Sequence, residues 1–287
     1  MNFLKLIRPH QYIKNLFIFL PLFFAGQVNN VELLIDALLA FTAFSLSASA
    51  IYILNDYHDI KEDQQHPKKK HRPLASGAIS KKRAIGLMSL FFIAGVSLMG
   101  VISVKALMVL GAYISLNVAY SLLLKHIALL DVTIIAVGFV LRLFVGSMVT
   151  GISLSMWIVI MTFLLALFMA LAKRRDDVLL FLNTGKKMRK VIDGYNIQLI
   201  DGAMMIMASV VIVSYLLYTT SVEVVQRLNS QYLYITALFV ILGIMRYLQI
   251  AFVELDSGSP TSIVLKDRFM QITIFAWVLS YTWIIYL

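Results

Sequence analysis

Nine apolar runs, near residues 13–28, 33–54, 84–103, 106–124, 131–150, 156–172, 198–221, 231–253 and 269–287, restrict this chain more than any other feature. Each is read as long enough to cross a hydrocarbon core of about 30 Å. Unpaired backbone is not tolerated in lipid, and the runs lack the polar alternation of barrel strands, so all nine are predicted to be helices. Composition agrees. Of 287 residues 60% are hydrophobic, the mean hydropathy is +0.86 and only 14% are charged, against roughly 25% in soluble domains. The expectation is an all-α membrane protein forming a single transmembrane domain over 1–287. Met1 to Arg8 lacks a signal-peptide layout with a small-residue cleavage site, so the first apolar run is expected to remain in the protein.

Charge placement gives the orientation. If the helices alternate sides, Lys5, Arg8, Lys14, Lys61, Lys68, Lys69, Lys70, Arg72, Lys81, Lys82, Arg83, Lys125, Lys173, Arg174, Arg175, Lys186, Lys187, Arg189, Lys190, Lys266 and Arg268 all fall on one side. The other receives only Lys105 and Arg227. By the positive-inside tendency the amino terminus is cytoplasmic and the carboxyl terminus outside, with the chemistry-capable connections 55–83 and 173–197 both cytoplasmic. The formal net charge of +10 is explained by this anchoring, which argues against nucleic acid as a partner. There is no cysteine, so disulfides, thiolate metal sites and cysteine nucleophiles are excluded.

Membrane crossing does not require the stretch Asn55 to Asp63, in which acidic side chains recur at helical spacing on the rim of an apolar segment. On one helix Asn55, Asp59 and Asp63 follow at i, i+4, i+8 and Asp56 precedes Asp59 by three, so their oxygens can converge on a hard cation. Several carboxylates that close need a counter-charge, and oxygen-only ligands favour Mg²⁺, Mn²⁺ or Ca²⁺. The plain alternative is a solvated helix end paired with the neighbouring basic loop. That loop, with His66, Pro67, Lys69, Arg72, Pro73, Ser76 and Gly77, suits diphosphate oxygens, whereas Lys68 and Lys70 read as membrane anchors. Pro67 and Pro73 limit helix continuation, Ser76-Gly77 is turn-like, and the next helix begins near Ser80.

Within the spans, Arg142 and Arg246 each call for an anion, either a carboxylate on a neighbouring helix or a substrate phosphate. Asp131, after Tyr120 and Lys125, is a candidate partner or ligand. Lys173, Arg174, Asp176 and Asp177 close the sixth segment, with Tyr195, Asn196 and Asp201 opening the seventh. Tyr281, Trp283 and Tyr286 read as interfacial anchors, and Met204, Met205 and Met207 as packing.

In order and type these pieces resemble the UbiA superfamily of intramembrane prenyltransferases, and within it the decaprenyl-phosphate phosphoribosyltransferase branch. The likeness rests on Arg8-Pro9-x-Gln11-Tyr12-x-Lys14-Asn15, Asn55 to Asp63, His66-Pro67-x-Lys69-x-x-Arg72-Pro73-x-Ala75-Ser76-Gly77, Tyr120-Ser121 with Lys125, Asp131-Val132, Gly138 to Arg142, Ser155-x-Trp157, Lys173-Arg174-Arg175, and Ser259-Pro260 before Asp267. The resemblance implies nine helices around a cytoplasm-facing cavity. It implies transfer of 5-phosphoribosyl from phosphoribosyl diphosphate to a polyprenyl phosphate in the inner membrane, with Mg²⁺ on Asn55, Asp56, Asp59 and Asp63. Asp56, Asp59 and Asp63 would be catalytic, and Lys14, Asn15, Lys69, Arg72, Tyr120, Lys125, Arg142, Lys173, Arg174 and Asp177 would bind substrate. Self-association is compatible with this reading. Transfer of a prenyl group to an aromatic or lipid acceptor is the enzymatic alternative, and an ion carrier the non-enzymatic one. A CDP-alcohol phosphotransferase would need a D-G-x-x-A-R opening that is absent. The second D-x-x-x-D motif usual in aromatic prenyltransferases is replaced by adjacent Asp176 and Asp177, which point about 100° apart on a helix.

Overall fold

The computed structural model describes residues 2–65, 69–185, 190–256 and 260–286. The His66-Pro67 pair, Lys68, Lys186, Lys187, Arg189 and Ser259 singled out in the sequence lie outside these. The helices are α1 (Asn2–Ile7), α2 (Leu20–Phe24), α3 (Val31–His58), α4 (Ile60–Gln65), α5 (Lys81–Ile102), α6 (Val104–Leu122) and α7 (Leu130–Thr150), then α8 (Met156–Thr184), α9 (Ile197–Thr220), α10 (Val222–Leu228), α11 (Ala237–Phe252), α12 (Pro260–Lys266) and α13 (Arg268–Tyr286). Short 3₁₀ segments join several of them, and no strand occurs among the described residues. Among the described residues eight helices are long and apolar enough to cross a membrane. They gather into two compact units, Met1–Lys125 with Val137–Leu154, and His126–Ala136 with Ser155–Leu287.

The first apolar run differs from its expectation. It is an 11-residue 3₁₀ segment, Pro9–Phe19, followed by the 5 residues of α2. At about 2.0 and 1.5 Å of rise per residue these cover roughly 30 Å, so the run still has the reach of a hydrocarbon core. Its winding has a cause in the first unit. Three 3₁₀ residues rise about 6 Å, as do four α-helical residues, so a period-three row can pair in step with a period-four row. Tyr12 and Asn15 form the first row and Ser49 and Ser45 on α3 the second: Tyr12 Oη lies 2.8 Å from Ser49 Oγ, and Asn15 Nδ2 donates to Ser45 Oγ at 2.9 Å. Ser49 Oγ also donates to the Ile7 carbonyl at 2.8 Å. The same row ends at Ile18, fully buried, where α7 crosses so closely that a Cβ on Gly146 would collide with the Ile18 carbonyl.

In this unit α3 is the most enclosed span and α5 the least. They approach through Gly95, whose missing side chain leaves room for Ala43 and Ser47. A core of Ile18, Phe44, Met99, Leu110, Tyr113 and Val145 lies beneath. Three helix starts in this unit carry side-chain caps: Asn30 accepts from Leu33 N, Ser80 from Arg83 N and Ser103 from Ala106 N, each satisfying an otherwise orphaned donor. Ser80 therefore starts α5 as expected.

The second unit is built on the α8–α9 pair and on α11 with α13, around Phe168, Ile200, Met204, Val211, Tyr247 and Met270. Helix α8 has 29 residues, roughly 43 Å of rise, well beyond a 30 Å core. The apolar run in the sequence ends at 172, with Lys173, Arg174, Asp176 and Asp177 expected to close the helix. The apolar Val178, Leu179 and Phe181 continue it, and Gly185, at φ 66, closes it in the left-handed conformation that glycine adopts without penalty. Lys173 to Asp177 thus lie inside α8, which continues past them to Thr184, rather than at its close.

Candidate active site

The acidic motif begins on the last turn of α3 and continues on α4, with a break at Asp59, the C-cap of α3. The backbone bonds Asp59 N to Asn55 O (2.9 Å) and Asp63 N to Asp59 O (2.8 Å) carry the turn across the break. Asp56 and Asp63 are each only 2% exposed. Buried carboxylates are stable only when paired, and the chain supplies the partners. Arg72 Nη1 lies 3.0 Å from Asp56 Oδ1 and 2.7 Å from Asp63 Oδ2, bridging the two helices through one nitrogen. Arg8 Nη2 bonds the same Asp56 oxygen, and Lys69 Nζ stands 4.0 Å from Asp63 Oδ1. Asp59 turns to Lys125, whose Nζ is 2.7 Å from Oδ1, while Asn55 Nδ2 donates to its other oxygen at 3.2 Å. Burial works against the charge of Asp59, but Lys125 and His58 outweigh it and hold the carboxyl below its usual range.

The four oxygen-bearing residues therefore divide into two sets instead of forming one cage: Asp56 and Asp63 around Arg72, and Asn55 and Asp59 facing Lys125. Among the described residues no three acidic or histidine side chains converge closely enough to hold a metal as they stand. Like-charge repulsion favours the division, with Asp59 drawn away to Lys125 while Asp56 and Asp63 share Arg72. The donor chemistry nevertheless fits a hard divalent cation. Two buried carboxylates on successive helices already share a single cationic nitrogen.

Arg8 is the residue that sequence reasoning quoted but did not place at the site. It sits at φ 54, ψ 58 directly before Pro9, a left-handed conformation disfavoured for a non-glycine residue. This bend ends α1 and carries the guanidinium to Asp56, with Tyr52 beneath it at 5.5 Å. A signal existed in Ser45, Ser49, Tyr52 and Asp56, a polar row on an otherwise apolar helix at spacings of 4, 3 and 4, which marks the face that must receive the amino-terminal segment.

Arg142 is 4% exposed and meets no carboxylate among the described residues. Its Nε donates to Asn15 Oδ1 (2.8 Å), Nη1 to the Gly138 carbonyl (2.6 Å) and Nη2 to Tyr113 Oη (3.0 Å). The rings of Tyr113, Phe44 and Phe139 surround it at 4.8, 5.0 and 5.4 Å. Cation–π contacts and charge-assisted bonds offset the cost of burying it. Asn15 pairs with Ser45, eleven residues before Asp56 and so about 16 Å along α3. Asn15, itself 1% exposed, and Arg142 thus hold the 3₁₀ segment well below the carboxylates. Lys14 and Tyr120 are half-buried.

The second unit carries a different ionic group. Asp131 is fully buried and receives Arg174 Nε together with Tyr195 Oη at 2.6 Å, and Arg174 Nη1 bonds Asp177 at 2.7 Å. Tyr195 also accepts Leu129 N at 2.8 Å, and burial and Asp131 push its phenol well above the ordinary value. Arg174, 1% exposed, is therefore committed to two aspartates, while Lys173 beside it is exposed. Arg175 bonds Asp201 (2.7 Å) and the Ala251 carbonyl (2.6 Å). Of the two arginines expected to need an anion, Arg246 has carboxylate partners: Asp267 at 2.7 Å and Glu254 at 2.8 Å.

A model of the UbiA prenyltransferase family matches residues 15–285. This chain belongs to that family. It is 32% identical, over 99% of its length and 86% of the other protein, to a decaprenyl-phosphate phosphoribosyltransferase of Corynebacterium glutamicum. The protein of that name from Mycolicibacterium smegmatis is 31% identical over 96% of this chain and 89% of its own. Among solved structures, a UbiA homolog from Archaeoglobus fulgidus bound to GPP and Mg2+ superposes with a TM-score of 0.73 over the whole of both chains at 18% identity, which shows the UbiA fold. The chain is an integral membrane enzyme of the UbiA type, and its polar row on α3, acidic break and basic turn belong to a UbiA-family transferase.

Proposed function

We propose that this UbiA-family enzyme transfers the 5-phosphoribosyl group of phosphoribosyl diphosphate to a polyprenyl phosphate of decaprenyl type, releasing diphosphate. The observation that carries the choice is the surplus of cations at the carboxylates. Arg8, Lys69, Arg72 and Lys125 face Asp56, Asp59 and Asp63, a balance suited to a donor that brings a 5-phosphate besides its diphosphate. The names of the relatives matched along nearly the whole chain support the same donor and acceptor.

Mg²⁺, when bound, would be held by Asp56 and Asp63, with Asp59 and Asn55 adjoining, and would neutralise the departing diphosphate. Arg72 and Lys69 would bind diphosphate oxygens, and Arg8 and Lys125 the donor's remaining phosphate. An oxygen of the lipid phosphate attacks ribose C1 as the bond from C1 to the diphosphate oxygen breaks, and the electron pair leaves with diphosphate. The nucleophile is already anionic, so no strong general base is needed. Arg174 and Asp177 would act as positioning residues of α8, leaving Lys173 as the exposed cation of that signature. In this reading the whole chain is one UbiA-type domain in the inner membrane. The 3₁₀ run with α2 makes a ninth crossing, the amino terminus and the acidic motif are cytoplasmic, and the carboxyl terminus is outside.

The test is direct. Purified protein with Mg²⁺ is given phosphoribosyl diphosphate and polyprenyl phosphate, and in parallel a prenyl diphosphate with 4-hydroxybenzoate, and the lipids are weighed by mass spectrometry. A phosphoribosylated lipid in the first arm alone is expected. A prenylated aromatic in the second arm, with none in the first, assigns the prenyl donor instead.

A further inference from the structure

The bridging position of Arg72 has a consequence for how the site is filled. A single guanidinium nitrogen touches carboxylate oxygens of both α3 and α4, 3.0 Å from Asp56 and 2.7 Å from Asp63. A divalent ion shared by those oxygens would lie in the same place with shorter bonds, about 2.0–2.1 Å for Mg²⁺. Two cations cannot share that point. We propose that Arg72 is the resting occupant of the metal position, a built-in counter-ion that holds Asp56 and Asp63 together and is exchanged for the divalent ion during each cycle. The inference rests on the metal-diphosphate reading of this site.

The local structure suits such an exchange. The backbone of Arg72 is fixed: its N donates to Lys69 O at 2.9 Å, and its carbonyl accepts both the amide and the hydroxyl of Ser76, each at 2.9 Å. Its side chain is 26% exposed, so the guanidinium can swing while the turn stays in place. Asp56 keeps Arg8 as a second partner, so release of Arg72 does not strip that carboxylate of all counter-charge. Once displaced, Arg72 retains its fork of donors within reach of whatever anion accompanies the ion, and a diphosphate presents the matching oxygens. The exchange couples metal entry to the freeing of a phosphate ligand.

The experiment uses metal alone, without donor or acceptor. Mn²⁺ binding to the purified full-length protein is measured from the free-ion electron paramagnetic resonance signal for wild type, Arg72→Gln and Arg72→Lys. Because Arg72 competes with the ion, Arg72→Gln is expected to bind Mn²⁺ about tenfold tighter or more, the weight of one charge-assisted bond removed, with Arg72→Lys in between. Unchanged or weaker binding by a folded Arg72→Gln overturns the proposal. Wild type supplies a second readout that no folding defect can obscure. Phenylglyoxal labelling of Arg72, followed by peptide mass spectrometry, should rise when Mn²⁺ is added and fall again when diphosphate follows. Labelling that stays level or falls on adding Mn²⁺ contradicts the exchange. Competition in a protein that makes no phosphoribosyl lipid would refute the donor assignment and leave the exchange standing. Phosphoribosyl transfer without competition would refute the exchange alone.

Discussion

Two ionic clusters built from the same residue types differ in how far their cations are buried. In the second unit Arg174 and Asp131 are 1% and 0% exposed and are joined by Tyr195. In the first unit the carboxylates Asp56 and Asp63 are as buried, but their cations Arg8 and Arg72 are 19% and 26% exposed. A pair buried on both sides has nowhere to send either partner and must remain closed. A buried carboxylate facing a cation at the water edge can trade that cation for another. Burial of the cation, more than the presence of ion pairs, separates a fixed clasp from a site able to turn over.

The contrast breaks most visibly at Asp131. Asp131→Ala takes from buried Arg174 Nε and Tyr195 Oη the acceptor they share, although Arg174 keeps Asp177, a loss of about 3–5 kcal/mol, so the thermal midpoint in detergent should fall steeply. A midpoint near that of wild type would show the clasp to be as exchangeable as the first cluster. Gly146→Ala is next. Its new methyl group meets the Ile18 carbonyl, so the 3₁₀ segment must shift at a cost of about 1–3 kcal/mol, and because that segment carries Arg8, transfer activity should fall as well. Activity retained in Gly146→Ala would separate the segment from the site.

A subtler probe is pH. Because the folded carboxyl of Asp59 is held below its ordinary value, its pairing contributes stability above the unfolded value, which is lost as pH falls through the folded one. Lys125→Met removes the outweighing cation and leaves burial to raise the carboxyl, so the acid limb of the stability profile should move to higher pH. An unmoved limb would detach Lys125 from Asp59. The smallest effect is expected at the Arg246–Asp267 pair. Its side chains are 20% and 16% exposed, so Arg246→Ala should change the midpoint less than Asp131→Ala, and a larger drop would show that exposure is a poor guide to which pairs matter.

The membrane class and the acidic motif were legible in the sequence because both are local. An amide and carboxylates on the end of an apolar helix have no role in spanning lipid, and Asn55 to Asp63 stand out for that reason. What was not legible depends on distance in the chain. Arg8 reaches Asp56 across 48 positions, and Tyr195 reaches Asp131 across 64, and no periodicity reports such pairings. The 3₁₀ winding of Pro9–Phe19 is imposed by the row on α3, so the segment's own composition reads simply as an apolar helix. The charges at 173–177 read as the close of the sixth helix because they resemble an interface, whereas the apolar residues after them carry α8 on to Thr184. Arg142 illustrates the same limit: a neighbouring carboxylate is one of the two anions expected for it, and its partners among the described residues are instead an amide, a phenol, a carbonyl and three rings.

The claim on which the account stands is that the first cluster works and the second only holds. Asp63→Asn and Asp131→Asn, measured side by side for phosphoribosyl transfer and thermal midpoint, test it most directly. Asp63→Asn should lose about a hundredfold or more in turnover, as expected when several kcal/mol of charge stabilisation is withdrawn, with its midpoint close to wild type, while Asp131→Asn should lose midpoint first. Full turnover by Asp63→Asn, or a collapse of its midpoint with the residual folded protein fully active, would contradict the account.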